Sequence, residues 1–219
     1  MMADVPTSTL SETGFDIVLG VFSDDEIDAI VEGLTDAAGP GSRRMLDRPE
    51  IRELAAAVRE RLGLGGVAIQ CSLFAKRPEA NWFVPPHQDL STPVRRIDGQ
   101  ASSMKLTEKE GETFCQPPAE TLAGLTACRL QLDDQTADDG PLEVYAGSHR
   151  RGRLDPEALG VVTEGEPAVL AAPRGSVVLM KPLAVHASAR SRSGRPRRVL
   201  HFVFADVPPP AGLAWRWEV

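Results

Sequence analysis

The sequence is poor in the residues most often recruited to bind metal, with only three cysteines and four histidines among 219 residues. Cys71, Cys115 and Cys128 are widely spaced, odd in number and form no Cys-x-x-Cys pair. That excludes a zinc ribbon or a dithiol redox motif, and it leaves reduced, buried thiols as the expectation. Also missing is any uninterrupted apolar run of the roughly 18 to 20 residues that a membrane helix needs. Met1-Met2-Ala3-Asp4-Val5-Pro6 lacks the basic start and apolar stretch of a secretory signal, so a cytoplasmic chain without membrane association is expected. Positive charge is in deficit: 24 Lys and Arg against 31 Asp and Glu give a net charge of −7. A general nucleic-acid binder, whose affinity rests on neutralising phosphates, is therefore not expected. No internal repeat or low-complexity linker divides the chain, and residues 1–219 read as a single domain.

What is present changes character along the chain. Ser23-Asp24-Asp25-Glu26 is a capping box, followed by Ile27, Ile30, Val31 and Leu34 at helical spacing. A second helix is expected from Asp47, with Pro49 in its first turn and Ile51, Leu54, Ala55, Val58 and Leu62 on one face. Gly63 and then Gly65-Gly66 stop it. Five strands are expected after that: Val67 to Lys76, Leu125 to Leu132, Leu142 to Ala146, Ser176 to Met180, and Arg198 to Ala205. Helices first and short strands afterward predict a mainly β (α+β) antiparallel barrel or jelly roll with N-terminal helices packed outside. The polar stretch from Ile97 to Thr121 reads as an irregular loop of the length used for lids and binding loops.

His87-Gln88-Asp89 places an imidazole and a carboxylate two residues apart, on one face if the segment is extended. A second histidine from a distant strand would complete a facial triad, which leaves three positions open and suits non-haem Fe(II). The tripeptide alone is common; its surroundings make it specific. Asn81-Trp82-Phe83-Val84-Pro85-Pro86-His87-Gln88-Asp89-Leu90 resembles the iron-binding segment of the phytanoyl-CoA dioxygenase family. Arg129-Leu130-Gln131-Leu132-Asp133-Asp134, Asp139-Gly140-Pro141-Leu142-Glu143-Val144 and Gly147-Ser148-His149 resemble its central strands and the turn after them. His186-Ala187-Ser188, with Arg197-Arg198 beyond, is similar to the family's distal histidine and following arginine. The likeness runs from about Phe22 to Ala205.

This resemblance implies a double-stranded β-helix with iron held by His87, Asp89 and His186, and with 2-oxoglutarate and O2 as co-substrates. It implies that Arg197, eleven positions after His186, pairs with the far carboxylate of 2-oxoglutarate, assisted by the Ser188 hydroxyl. A guanidinium fork suits a carboxylate and stays charged at working pH. Arg198 competes for that role, because Val199, His201 and Val203 make as apolar a face as Leu200, Phe202 and Phe204. The implied activity is hydroxylation of a small molecule with release of succinate and CO2. Retention of Asp89, where related halogenases carry a small residue, favours hydroxylation over halogenation; desaturation, epimerisation and ring formation share the same oxidant. Phytanoyl-CoA itself is not expected as substrate, since the chain is short and Trp217-Glu218-Val219 is no peroxisomal Ser-Lys-Leu. The rival reading is a non-catalytic or zinc-type barrel, a binding protein or hydrolase, which would have no use for the arginine clamp.

Several other residues are candidates. Gln70, Ser72, Phe74 and Lys76 share a strand face opposite Ile69, Cys71, Leu73 and Ala75; that face looks either into the pocket or at solvent. In the pocket, Lys76 would help neutralise the co-substrate, and Gln70 and Ser72 would meet substrate. Arg129 lies in an apolar strand and implies an anionic partner, either a local carboxylate or the substrate. Trp82 is expected as a pocket wall or as core. His149 is expected to be structural, and His201 to be a core histidine or a neighbour of the site. Asp133-Asp134 and Asp138-Asp139 lack calcium-loop spacing and read as a solvated hairpin end. The basic run Arg190 to Arg198 reads as a solvated loop apart from the clamp. Leu213 to Trp217 is expected to pack back over the barrel.

Overall fold

The structure is a computed structural model that describes residues 7–34, 41–109 and 111–219. Among the described residues fourteen strands and five α-helices occur. The first seven are β1 (Phe15–Val18), β2 (Gly41–Ser42), β3 (Val67–Lys76), β4 (Val84–His87), β5 (Thr92–Arg96), β6 (Leu106–Lys109) and β7 (Glu112–Cys115). The second seven are β8 (Leu125–Gln131), β9 (Leu142–Val144), β10 (Ala168–Leu170), β11 (Val177–Met180), β12 (His186–Ser188), β13 (Arg197–Ala205) and β14 (Leu213–Trp215). Five helices accompany them: α1 (Thr7–Thr13), α2 (Asp24–Gly33), α3 (Pro49–Arg61), α4 (Ala119–Ala123) and α5 (Pro156–Thr163).

The strands form a six-stranded antiparallel sheet, β1-β11-β8-β13-β3-β2, a four-stranded sheet, β10-β9-β12-β4, and a second four-stranded sheet, β14-β5-β7-β6. The fold is the mainly β jelly roll expected from the sequence. The outer face of the large sheet lies under α2 and α3. There Ile27, Leu54 and Val58 pack with Cys71, Leu73, Leu130, Leu200, Phe202 and Phe204 in one buried cluster. The capping box is formed: Ser23 Oγ accepts from Glu26 N, and Glu26 accepts from Ser23 N. Helix α3 buries Ile51, Leu54, Ala55 and Val58 as the spacing predicts, but it begins at Pro49, after a separate 3-10 turn at Met45–Asp47. Asp47 does not cap it; its carboxylate instead accepts from Trp217 Nε1 at 3.0 Å. That bond ties the C-terminal segment down, with Trp215 and Trp217 buried.

Three expectations need correction. Ile69 does not share a cluster with Cys71 and Leu73, because β3 bulges where its pairing with β13 shifts between Val203 and Phe204. Ile69 packs instead with Val94, Leu125 and Val203 on the inner side. The stretch from Ile97 to Thr121 is no irregular loop: it contains the β6–β7 hairpin and the start of α4. The acidic turn is no solvated hairpin end. Asp139 is buried and accepts from Thr136 N and Oγ, Ser193 Oγ and Arg195. The basic run answers that turn in kind: Arg192 pairs with Asp138, Arg195 with Asp139 and Arg198 with Asp133.

All three cysteines are free and buried. Among the described residues no helix is long and apolar enough to cross a membrane.

Candidate metal and co-substrate site

A cavity of about 500 Å³ opens between the inner face of the large sheet and the sheet that carries β4 and β12. Strand pairing sets His87 opposite His186 across β4 and β12, and their rings stand 4.2 Å apart between centroids. Asp89 lies just past the end of β4, where its backbone N–H donates to Pro182 O at 2.9 Å. The intervening Gln88 turns the other way. Its amide donates to Gly152 O and Leu183 O, and its Oε1 accepts from Leu154 N. This bracing holds His87 and Asp89 on the cavity side.

The His87 Nε2 to Asp89 Oδ1 distance is 3.7 Å, and His186 Nε2 to Asp89 Oδ2 is 3.6 Å. The three potential ligand atoms lie within 4.8 Å of one another. Each histidine is oriented from behind, His87 Nδ1 by Pro85 O and His186 Nδ1 by Ala184 O, both at 2.9 Å. A carbonyl can only accept, so each Nδ1 carries the proton and each Nε2 offers a lone pair toward Asp89. Two imidazole nitrogens and one carboxylate, fixed in this way, fit iron(II) with open positions.

Electrostatics agree with that donor set. Burial raises the Asp89 carboxyl, but His186, His87 and His201 around it outweigh burial and hold it well below the usual carboxylate range. Burial lowers His186 to about 4, despite Asp89, so it is neutral and able to ligate. For His87 burial works downward, yet the Asp89 carboxylate prevails and raises it.

The other end of the cavity is built from β13, β3 and β12. Arg197 points inward with Val199, His201 and Val203, whereas Arg198 points outward and binds Asp133 with Nε at 3.0 Å and an Nη at 2.6 Å. Arg197 is buried, donates to Gly140 O and to Ser188 Oγ, and its Nε has no partner. Lys76, its neighbour in register, is buried too and donates to Ser188 Oγ at 2.7 Å and Ala189 O at 2.5 Å. Burial, then Arg197 and Arg129, lowers Lys76 to about 7; burial and Arg129 lower Arg197 to about 9. Two crowded cations with an unpartnered N–H mark a place for a carboxylate.

The inner face of β3 is the pocket face: Gln70, Ser72 and Phe74 line the cavity, as do Trp82 and Arg129. Lys76 reaches the site through Ser188, and its ammonium lies 5.6 Å from the Trp82 ring centroid. His201 also lines the cavity, with Nε2 3.8 Å from Asp89 Oδ2. His149 lies apart from the site: its Nε2 meets Ser11 O and its ring lies against Gly14. Sequence reasoning missed Arg43, Lys109, Phe114 and Gln116 as lining residues. The last three lie in the stretch singled out as a binding loop, although no local pattern distinguished them from their neighbours.

The family model for phytanoyl-CoA dioxygenase matches residues 10–199. The chain belongs to the phytanoyl-CoA dioxygenase family. It is accordingly a non-haem iron, 2-oxoglutarate-dependent oxygenase. Among curated protein sequences none matches. Among solved structures, the 2-oxoglutarate-dependent carbocyclase SnoK of nogalamycin biosynthesis is 17% identical, with TM-score 0.69, over 99% of this chain and 88% of its own. The epimerase SnoN, in complex with Fe3+, 2-oxoglutarate and nogalamycin RO, is 16% identical, with TM-score 0.67, over 96% of this chain and 84% of its own. HygX from Streptomyces hygroscopicus, with nickel, 2-oxoglutarate and hygromycin B bound, is 19% identical, with TM-score 0.60, over 92% and 87%. At such identities the likeness establishes a shared fold.

Proposed function

We propose that His87, Asp89 and His186 hold the iron, that Arg197, Ser188 and Lys76 hold the far carboxylate of 2-oxoglutarate, and that this oxygenase hydroxylates a small organic molecule. The observation that carries the reading is the His87–His186 pair facing Asp89, with both Nδ1 atoms committed to carbonyls behind them. Bound iron and 2-oxoglutarate would supply the oxidising power, with O2 consumed and succinate and CO2 released. The chain's share is orientation. Pro85 and Ala184 carbonyls fix which imidazole nitrogen is offered, and Pro182 O fixes the approach of Asp89. The Ser188 hydroxyl accepts from Lys76 and donates to Gly140 O, so it holds the ammonium beside the guanidinium. Retained Asp89 favours hydroxylation over halogenation. Small-molecule substrates are bound by the SnoN and HygX structures and fit a cavity of about 500 Å³.

We read the whole chain as one catalytic domain, since strands drawn from Phe15 to Trp215 contribute to the sheets. Three free, buried cysteines favour the cytoplasm.

The test is anaerobic addition of Fe(II), then 2-oxoglutarate, to metal-free protein. Wild type should develop the weak visible charge-transfer band of the chelate, and His87→Ala should not. A folded, metal-binding wild type that gives no band would instead support the hydrolase or binding-protein reading.

A further inference from the structure

Only two arginines are buried among the described residues, Arg129 and Arg197. The arginines nearer the surface that border acidic residues are paired: Arg61 with Glu26, Arg174 with Asp28, Arg198 with Asp133. Neither buried arginine has an ion pair among the described residues. Arg197 has its role in the co-substrate reading above. Arg129 remains, 7% exposed and lining the cavity.

Its surroundings narrow what it can bind. Arg129 sits opposite His201 in the β8–β13 register and donates to His201 Nδ1 at 3.3 Å. The guanidinium carbon lies 5.9 Å from the Phe74 ring centroid. Arg197 stands four residues along β13 from His201, on the order of 13 Å between backbone positions in a strand, so the two arginines enter the cavity from different places although Arg129 still lowers Arg197. Burial lowers Arg129 only to about 10, so it stays charged at neutral pH. Asp89 is the carboxylate that offsets this burial, and a metal on Asp89 would take up that charge; the buried guanidinium then lacks a counter-charge, which is costly, and most of its N–H groups are uncommitted.

The charge balance of the whole cavity leads to the same place. Among the described residues Asp89 is the only carboxylate lining it, while Arg43, Lys109, Arg129 and Arg197 all do. A divalent ion on Asp89 leaves one positive charge, and Arg197 adds a second; the two carboxylates of 2-oxoglutarate balance these. Arg43 and Lys109 are exposed and Lys76 is lowered to about 7, so Arg129 is the buried charge left over. This in a chain whose net charge is −7.

We propose that Arg129 binds an oxyanion of the substrate, a carboxylate or a phosphate, and so makes this oxygenase selective for anionic small molecules. The inference rests on the co-substrate reading above. Phe74, Trp82 and Phe114 in the walls supply apolar surface for the rest of such a molecule.

Calorimetry on nickel-loaded protein saturated with 2-oxoglutarate tests it without turnover. The probes are benzoate and phenyl phosphate, with benzamide and benzyl alcohol as neutral counterparts. One anion should bind at least about tenfold tighter than its neutral counterpart, and which of the two does so distinguishes carboxylate from phosphate. Arg129→Gln should abolish that preference and Arg129→Lys should keep part of it, with 2-oxoglutarate affinity unchanged in both. If neither anion outbinds its neutral counterpart in wild type, the proposal is overturned, whatever the variants do. It is equally overturned if Arg129→Gln weakens 2-oxoglutarate as much as the anion, since Arg129 would then serve the co-substrate. Failure of nickel-loaded wild type to bind 2-oxoglutarate at all would count against the co-substrate reading itself, and is read before any probe is added.

Discussion

Arg197 and Arg198 are neighbours with opposite fates, and the difference is one step of strand alternation. Arg197 enters the cavity unpaired at Nε, while Arg198 is clamped by Asp133 outside it. Arg197→Gln should weaken 2-oxoglutarate binding by about tenfold or more with metal content retained, as calorimetry and metal analysis would show. Arg198→Ala should leave that affinity alone and cost about 1 kcal/mol in denaturant unfolding. Alternation in the sequence could not choose between them, for a reason the fold makes plain. Both faces of β13 are buried, one against the cavity and the other beneath α2 and α3, so both are apolar. The cluster of His87, Asp89 and His186 was legible because a His-x-Asp and a distal histidine are chemically distinctive. Arg129 was legible as an anomaly, a charge in an apolar strand. Lys109 and Gln116 were not, because their place on the cavity wall depends on how the β6–β7 hairpin docks.

Elements were legible where burial imposed a period. Strand β3, apart from its bulge at Ile69, and the faces of the two capped or proline-started helices follow their patterns. The β6–β7 hairpin did not announce itself, since β6 is largely exposed and polar and no inward face repeats along it. The acidic turn and the basic loop, each read alone as solvated, are one structure held by complementary charge. At its centre, Asp139 organises Thr136, Ser193 and Arg195, next to Gly140, whose carbonyl accepts from both Arg197 and Ser188. Burial pushes the Asp139 carboxyl up, but its bonds to Ser193, Thr136 and Arg195 prevail and hold it at about 2, below its ordinary 3.8. With the folded value depressed, its stabilisation is full above about pH 4 and is lost as pH falls toward 2. Asp139→Asn should cost about 1–3 kcal/mol at neutral pH and flatten the acid limb of the stability curve, measured by urea unfolding from pH 2 to 7. Gly140 has φ +62, and a Cβ there would collide with Ala189 O. Gly140→Ala should therefore destabilise by about 2 kcal/mol and also weaken 2-oxoglutarate binding, because the Gly140 carbonyl is the one that accepts from Arg197.

At the scale of the whole molecule, the site joins parts of the chain that are far apart in sequence, and ligands should register as stability. Metal at about a hundred times its dissociation constant should add about 2.7 kcal/mol, and 2-oxoglutarate a similar increment on top. For a chain of this size that is several degrees of melting temperature per ligand, readable by differential scanning fluorimetry with nickel in place of iron. The co-substrate alone should shift the melting temperature far less than it does with metal present.

Among the described residues, the strand that carries His87 is the last in its sheet, so β4 has a strand partner on one side. Such a border is where a stray chain can attach and seed aggregates. Here Pro85 and Pro86 occupy the middle of the strand, and proline has no amide hydrogen to offer a newcomer. The two prolines thus leave this border, next to the cavity, with fewer N–H groups by which a further strand could extend the sheet.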